Sequence, residues 1–188
     1  MINVRSAFRI LYYFNDRILS LVKYIEKTFG IPCVWDKSHW IEPPIQGRNN
    51  LSKRKWGWNW LSLFCYEFHF EKENVKFSIF LQSDTGAWNI EDWSEVDNFT
   101  NINESKTRLL FIFSNSKEWD ISILLNKHYQ ELLEDEYSIK TKNNEIYFKA
   151  FDLVKFKDEK ETINSLNILI TFLKNKGNTN INIISENK

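Results

Sequence analysis

The chain contains few of the residues that build disulfide frameworks, zinc sites or phosphate-binding loops. Among its 188 residues are two cysteines, five glycines and three histidines. Two cysteines are too few for the scaffold of a small secreted protein, and neither belongs to a Cys-x-x-Cys pair. No glycine-rich phosphate loop, nucleophile elbow or zinc-type spacing occurs. We therefore expect no metal, no cofactor and a reducing, cytoplasmic environment.

Long hydrophobic runs are also absent. No apolar stretch approaches the roughly 18 residues that a membrane-spanning helix needs. Arg5 and Arg9 interrupt the N-terminal segment, which lacks the basic start, apolar centre and cleavage site of a secretory signal. The sequence therefore predicts neither export nor a membrane partner.

The chain is instead rich in aromatic residues, and its charges are segregated. Aromatic residues make up 16% of the chain and hydrophobic residues 43%, which is typical of a folded domain. The net charge is zero, yet residues 1–60 carry 10 basic and 4 acidic side chains, whereas residues 61–104 carry 2 and 9. Such patches of opposite sign can steer partners towards the surface.

Hydrophobic residues at helical spacing predict an amphipathic helix near the N-terminus. Asn15 or Asp16 can cap its start, Gly30 ends it, and the helix can extend backward to about Ser6. Its apolar stripe consists of Ile18, Leu21, Val22, Ile25 and Phe29.

A period of two predicts a β-hairpin in the next part of the chain. Residues 61–70 and 75–84 alternate between apolar and polar side chains, and a polar segment separates them. We predict that Phe70 lies opposite Val75. The resulting core pairs are Phe68 with Phe77, Tyr66 with Ile79 and Phe64 with Leu81.

The C-terminal half predicts further strands and helices. Strands are expected at 108–113, 137–140 and 145–151, and a helix at 120–135. Asp158, followed by Glu161, resembles a capping box at the start of a third helix that ends at Gly177. Residues 1–177 then form one domain, and 178–188 form a flexible tail. The order α-β-β-β-α-β-β-α predicts an α+β fold, with an antiparallel or mixed, aromatic-rich sheet and about three helices on one face.

The segment 48–60 is the first candidate binding surface, because basic residues there lead into tryptophans. Such residues can anchor a partner protein or stack on unpaired bases beside neutralised phosphates. Alternatively, the tryptophans alternate into the core and the basic residues solvate a loop. The candidate residues are Arg48, Lys53, Arg54, Lys55, Trp56 and Trp58.

The segment 88–97 is the second candidate surface. It places Trp88 and Trp93 among carboxylates that include Glu91 and Asp92. Exposed tryptophans within an anionic ring would suit a basic partner. The alternative is a solvated connector whose tryptophans fold onto the sheet edge.

Two polar constellations suggest chemistry. Cys65, Glu67 and His69 share one strand face, but neighbours in this row are about 7 Å apart, so no nucleophile and base can meet without help from another strand. The hairpin register predicts a half-solvated face, with His69 opposite Lys76 and Glu67 opposite Ser78.

Glu67 and Asp84 could hold a divalent ion in a metal-dependent nuclease. The second strand of the hairpin, however, lacks the acidic residue two positions before a lysine that this chemistry uses. This pattern of an acidic residue two positions before a lysine does occur at Asp158, Glu159 and Lys160, but we expect these residues to start a helix. We therefore predict no catalytic residues.

The leading hypothesis is a non-catalytic protein-binding module that acts as an inhibitor or immunity-type protein. One example would be a mobile-element counter-defence protein that blocks a nucleic-acid-processing effector such as a nuclease. The alternative is a protein that binds or processes nucleic acid through the segment 48–60.

Overall fold

The computed structural model describes most of the chain. The described residues are 2–39, 65–88, 101–114, 121, 124, 127–128, 130–140, 145–178 and 180–184. They contain two α-helices, six β-strands and three short 3₁₀ helices. This composition confirms the α+β class.

The regular elements have the following bounds. Helix α1 spans Ile2–Phe29 and α2 spans Glu159–Asn175. The strands are β1 (Cys33–Ser38), β2 (Cys65–Lys72), β3 (Val75–Gln82), β4 (Arg108–Ser114), β5 (Glu136–Lys140) and β6 (Glu145–Asp152). The 3₁₀ helices span Thr85–Trp88, Glu131–Leu133 and Leu153–Phe156.

The predicted order of elements is not confirmed. The helix predicted at 120–135 is described only in part: Leu124 and Lys127 are helical, and a 3₁₀ helix at Glu131–Leu133, followed by β5, takes the place of its last part. Strand β1 precedes the hairpin and was not predicted. It is an edge strand with a bulge between Cys33 and Trp35, and most of its side chains are exposed. Because neither of its faces is fully buried, its sequence lacks an apolar period of two.

Helix α1 starts much earlier than its predicted cap. It runs without interruption through Asn15 and Asp16, and ends before Gly30, whose φ of 61° suits glycine. Helix α2 follows the prediction closely. The Asp158 side chain caps it by accepting a hydrogen bond from the Glu161 amide at 2.9 Å.

The six strands form one antiparallel sheet in the order β1-β2-β3-β4-β6-β5. The predicted register of the β2–β3 hairpin is wrong by two residues, because Phe70 lies opposite Phe77 and Lys72 lies opposite Val75. Only residues 73–74 remain for the turn, and the first of them has a positive φ of 54°. A shift of two leaves every side chain on its predicted face.

One face of the sheet packs against α2 and the second half of α1. Phe29 of α1 meets Phe77 edge to face, with ring centroids 6.0 Å apart. Of the predicted core residues, Phe68, Phe77, Ile79 and Leu81 are buried, as expected, and Tyr66 is half-buried. Phe64 lies outside the described residues. The buried sheet residues of this face are Phe68, Phe70, Phe77, Ile79, Leu81, Leu109, Phe111, Phe113, Tyr147 and Phe151.

The other face of the sheet is also buried, which corrects the predicted half-solvated polar face. Ile121, Leu124 and Leu132, described residues of the segment 121–133, cover it. Buried Arg108 holds this segment by donating to the carbonyl oxygens of Leu133 and Glu134 at 2.5 and 2.6 Å. Gln82, opposite Arg108, donates to the Leu132 carbonyl at 3.2 Å. The side chains of Arg108 and Gln82 therefore hydrogen-bond to the backbone of the segment that covers the second face of the sheet.

The C-terminal segment predicted as a flexible tail begins with packed residues. Ile181 is buried in the main core. The Ile184 amide donates to the Thr28 carbonyl at 2.9 Å, at the end of α1. Residues 181–184 are therefore anchored to the domain.

Candidate functional site

A buried polar cluster, formed by His39, Glu67, His69 and Ser78, lies where β1, β2 and β3 meet. Glu67 and His69 point to the same face because they are two residues apart on β2. Ser78 of β3 lies directly opposite His69. His39 follows β1, which pairs with the other side of β2.

Both oxygens of the Glu67 carboxylate are engaged. His39 Nε2 donates to Oε2 at 2.6 Å, and the Ser78 hydroxyl donates to Oε1. Glu67 is 1% exposed and Ser78 fully buried. A buried charge is stable only when it is paired and hydrogen-bonded, and these two contacts supply that compensation.

His69 shares the Ser78 hydroxyl with Glu67. Its Nδ1 lies 3.1 Å from Ser78 Oγ. Because serine has one proton and donates it to Glu67, His69 must donate from Nδ1. Burial lowers the pKa of His69 and outweighs the opposing influence of Glu67 and Glu71, so the ring is neutral at pH 7. Trp35 stacks on this ring at 4.7 Å.

The cluster continues to the surface through an ion pair. Lys76 Nζ lies 2.9 Å from Glu71 Oε1, and Glu71 Oε2 lies 3.7 Å from His69 Nε2. The hydrogen bond from Lys76 is the main cause that lowers the pKa of Glu71. A row of polar groups therefore runs from half-buried Glu71, through His69 and Ser78, to buried Glu67.

This arrangement joins three strands and does not present a nucleophile. Glu67 and His69 are too far apart along β2 to contact each other directly. Ser78 of the neighbouring strand β3 connects them, because its hydroxyl contacts both side chains. The Ser78 proton, however, is donated to Glu67 and the hydroxyl is fully buried. The predicted cross-strand partners were also wrong, because Lys76 pairs with Glu71, while Phe80 lies opposite Glu67.

The two thiols are in environments that favour the protonated form. Cys65 is buried and donates from Sγ to the His39 carbonyl at 3.6 Å. Burial raises its pKa strongly. Burial, with the negative charges of Glu26 and Asp36, raises the pKa of Cys33 to about 11. Both cysteines therefore behave as small apolar side chains rather than reactive thiolates.

Glu67 and Asp84 are not cross-strand neighbours in the β2–β3 hairpin. Glu67 pairs with Phe80, and Asp84 lies four residues further along, which corresponds to roughly 13 Å of extended chain. Asp84 instead accepts a hydrogen bond from the Gly86 amide at 2.8 Å. Among the residues that the structure describes, no group of three or more His, Cys, Asp or Glu side chains could hold a metal ion.

One of the predicted partner-binding residues is described. Trp88 is fully buried and meets Phe80 edge to face at 5.9 Å. Trp88 therefore packs in the core on the second face of the sheet and is not a surface anchor. Its burial corresponds to the alternative expectation, in which the tryptophans of the segment 88–97 fold onto the sheet. The residues that lie outside the described ranges are Arg48, Lys53, Arg54, Lys55, Trp56, Trp58, Glu91, Asp92 and Trp93.

The structure shows an exposed apolar surface that the sequence reasoning missed, on the first half of α1. Residues 2–17 of this helix, here called the α1 arm, precede Ile18, which is the first buried residue of α1; within the arm, Phe14 packs partly against the main core. Residues 2–10 are all exposed, and only Leu11 and Phe14 of the arm are half-buried. Six large hydrophobic side chains of the arm are 54% to 73% exposed: Ile2, Val4, Phe8, Ile10, Tyr12 and Tyr13.

The family comparison covers nearly the whole chain. The family model described as PM0109 matches residues 1–180. The chain belongs to the PM0109 family. No curated protein and no solved structure matches it.

The PM0109 match includes both the α1 arm and the polar cluster. Neither feature is therefore an appendage outside the region that defines the family. None of the helices in the described part of the chain is long and apolar enough to cross a membrane.

Proposed function

We propose that this member of the PM0109 family is a non-catalytic binding module that captures another protein in the cytoplasm and inhibits it. An immunity-type or counter-defence protein that blocks a nucleic-acid-processing effector is the concrete form of this proposal. The observation that carries it is the α1 arm, a helical segment with large apolar side chains held in water.

The outward side of the arm has the composition of a protein-binding surface. Arg5, Arg9 and Tyr13 follow one another at intervals of four, and Tyr12 is seven residues after Arg5, so these side chains share one side of the helix. The rings of Tyr12 and Tyr13 pack edge to face at 5.6 Å. Tyrosine and arginine are enriched among the residues that dominate binding energy at protein interfaces.

The exposed area of this surface is large for a single helix segment. Tyr12 and Tyr13 are 67% and 63% exposed. At about 200 Å² for an aromatic side chain, the two rings leave roughly 250 Å² in water. This area approaches that of the largest apolar patch on a typical soluble monomer, roughly 300 to 600 Å², which is often functional.

The charge of the arm defines the partner. The arm contains three arginines, Arg5, Arg9 and Arg17, and one acidic residue, Asp16, so it carries a net positive charge. The complementary surface is therefore apolar with acidic residues beside it. Three arginines can neutralise only a few phosphates, whereas nucleic-acid complexes that bind through the backbone use roughly 6 to 10 such contacts. This difference favours a protein partner.

The test is affinity capture from the source cell with nuclease treatment, followed by kinetics with the purified captured protein. We expect Tyr12→Ala and Tyr13→Ala to raise the dissociation rate at least about tenfold, because an enclosed aromatic anchor is lost. Arg5→Glu should mainly slow association and reduce its salt dependence. Ile168→Ala, at an exposed position of α2, is the matched control and should bind like the parent.

Two results would overturn the proposal. One is unchanged binding by both tyrosine variants while they remain folded. The other is loss of capture after nuclease treatment, which would favour direct nucleic-acid binding. Trp56→Ala and Trp93→Ala, tested in the same assay, would show whether the two predicted loop surfaces contribute as well.

A further inference from the structure

Strand β1 lies at one edge of the sheet and is lightly held there. Among the described strands it pairs with β2 alone. Four of its six side chains are exposed, and a bulge interrupts its pairing between Cys33 and Trp35. Elements with few buried contacts open at a lower free energy than the centre of a sheet. The contacts between β1 and the buried polar cluster therefore help to decide whether this strand stays paired.

Two of these contacts involve histidine rings. Trp35 lies opposite His69 in the register and stacks on its ring, with centroids 4.7 Å apart and planes 19° from parallel. His39, which directly follows the strand, contacts Glu67 at 2.6 Å. Trp35 is 39% exposed, whereas His69 beneath it is 1% exposed. The indole therefore separates the imidazole from water, and movement of β1 uncovers the ring.

A proton added to His69 enters at Nε2, because Nδ1 already donates to Ser78. Nε2 lies 3.7 Å from the Glu71 carboxylate, which is longer than an ordinary hydrogen bond, and Lys76 already pairs with Glu71 at 2.9 Å. The new charge is therefore buried with weak compensation, and burial is the main cause that lowers the pKa of His69. An opened strand, by contrast, leaves the ring in water with an ordinary pKa of about 6.5.

The other charged groups around the ring act in both directions. Glu67 favours the protonated ring of His69, and Lys76 of β3 opposes it. Lys37 of β1 lies opposite Glu67 at an exposed position. His39 acts against opening, because a charged ring beside Glu67 strengthens the contact at the end of β1. His39 is 11% exposed and His69 only 1%, and the cost of burying a charge grows with burial, so we expect the effect of His69 to be the larger.

We propose that β1 is an acid-sensitive edge strand: protonation of His69 displaces Trp35 and opens β1 from β2, while β3, β4 and β6 stay paired. The direction follows from linkage, since the state that takes up the additional proton is favoured as the pH falls. The closed strand is fully stable above about pH 6.5 and loses stability progressively below this value. The opening does not involve the α1 arm, so it is independent of the proposed function.

The test is hydrogen exchange of the full chain at pH 7.5 and pH 5.5, followed by mass spectrometry of its peptides. Each rate is divided by the rate of an unfolded amide at the same pH, which leaves the population of the open state. Peptides that cover β1 should exchange well before those of β4 and β6 at both pH values. Their opening should increase at least about threefold at pH 5.5, with a ceiling of about tenfold for one histidine.

Four variants assign this response to its residues. His69→Phe keeps a ring under Trp35 but takes up no proton, so β1 should open equally at the two pH values. Trp35→Ala lets water reach the ring in the closed strand, so opening should rise at pH 7.5 and increase less at pH 5.5. His39→Gln should respond at least as strongly as the parent. His128→Gln, at a half-buried histidine outside the cluster, is the matched control and should respond like the parent.

The proposal fails on any of three results. The first is equal opening of β1 in the parent at both pH values. The second is a response that His69→Phe retains, in particular one that His39→Gln abolishes. The third is exchange of β1 only together with β4 and β6, which would reduce the effect to global unfolding. Circular dichroism checks that each variant is folded, and if His69→Phe does not fold, an unchanged pH response in Trp35→Ala overturns the proposal in its place.

Discussion

Replacing Ser78 with alanine is the most direct test of the buried polar cluster. The substitution removes one hydroxyl and leaves almost no cavity, so lost packing contributes little. Ser78 Oγ bonds to Glu67 Oε1 and lies 3.1 Å from His69 Nδ1. All three side chains are at most 1% exposed, so water cannot easily replace the hydroxyl.

The expected effect follows from these two contacts. Removing the partner of a buried polar group costs about 1 to 3 kcal/mol, with charged groups towards the upper end. Glu67 and His69 each lose one partner, so we expect Ser78→Ala to lower the free energy of unfolding by about 2 to 4 kcal/mol. For a chain of this size the thermal midpoint should fall by roughly 4 to 16 °C.

Chemical denaturation of four proteins isolates the contribution of the cluster. They are the parent, Ser78→Ala, Glu67→Leu and the double variant. With the carboxylate gone, Ser78→Ala should destabilise less, by at least about 1 kcal/mol of coupling. Ser138→Ala, at an exposed position of β5, is the matched control and should stay within about 0.5 kcal/mol of the parent. A Ser78→Ala midpoint equal to that of the parent, or full additivity in the double variant, would refute the cluster's stabilising role.

Two further predictions concern titration and packing. Because burial lowers the pKa of His69, the unfolded chain binds a proton more readily, so stability should fall as the pH drops below about 6.5. His69→Gln should reduce this fall between pH 7 and pH 5, and an unchanged pH profile would contradict it. Phe77 is fully buried between Phe70 and Phe113, with centroids at 4.6 and 5.5 Å, so Phe77→Ala should cost about 3 to 5 kcal/mol in urea unfolding. Exposed Val154→Ala is its control, and equal midpoints for the two variants would contradict this packing.

Local signals in the sequence were sufficient where residues of two kinds alternate along a strand or where a side chain caps a helix. The alternation in β2 and β3 predicted which side chains enter the core, because a strand places successive residues on opposite faces. Asp158 was recognisable as the cap of α2, because a capping contact depends only on residues three apart. The register of the hairpin depended on the turn, and a two-residue turn with a positive φ at Glu73 was not evident from its composition.

The candidate sites show the same division. Cys65, Glu67 and His69 were identifiable as a polar row, but the bridge through Ser78 and the contact from His39 depend on the true register and on an edge strand with no apolar period. The exposed surface of the α1 arm was missed because its residues look like the continuation of a buried helix. Only the extent of the sheet decides where that burial stops.

The sequence by itself determined the fold class, most strand faces, the cap of α2 and the expectation that thiol, metal-motif and phosphate-loop chemistry is absent. These properties follow from composition and from spacing along the chain. The tertiary structure alone decided that Trp88 is a core residue, that Glu67 is buried between His39 and Ser78, and that residues 2–10 of α1 are exposed. The physical reason is that burial and hydrogen-bond partners depend on which distant segments meet, and a local pattern does not contain that information.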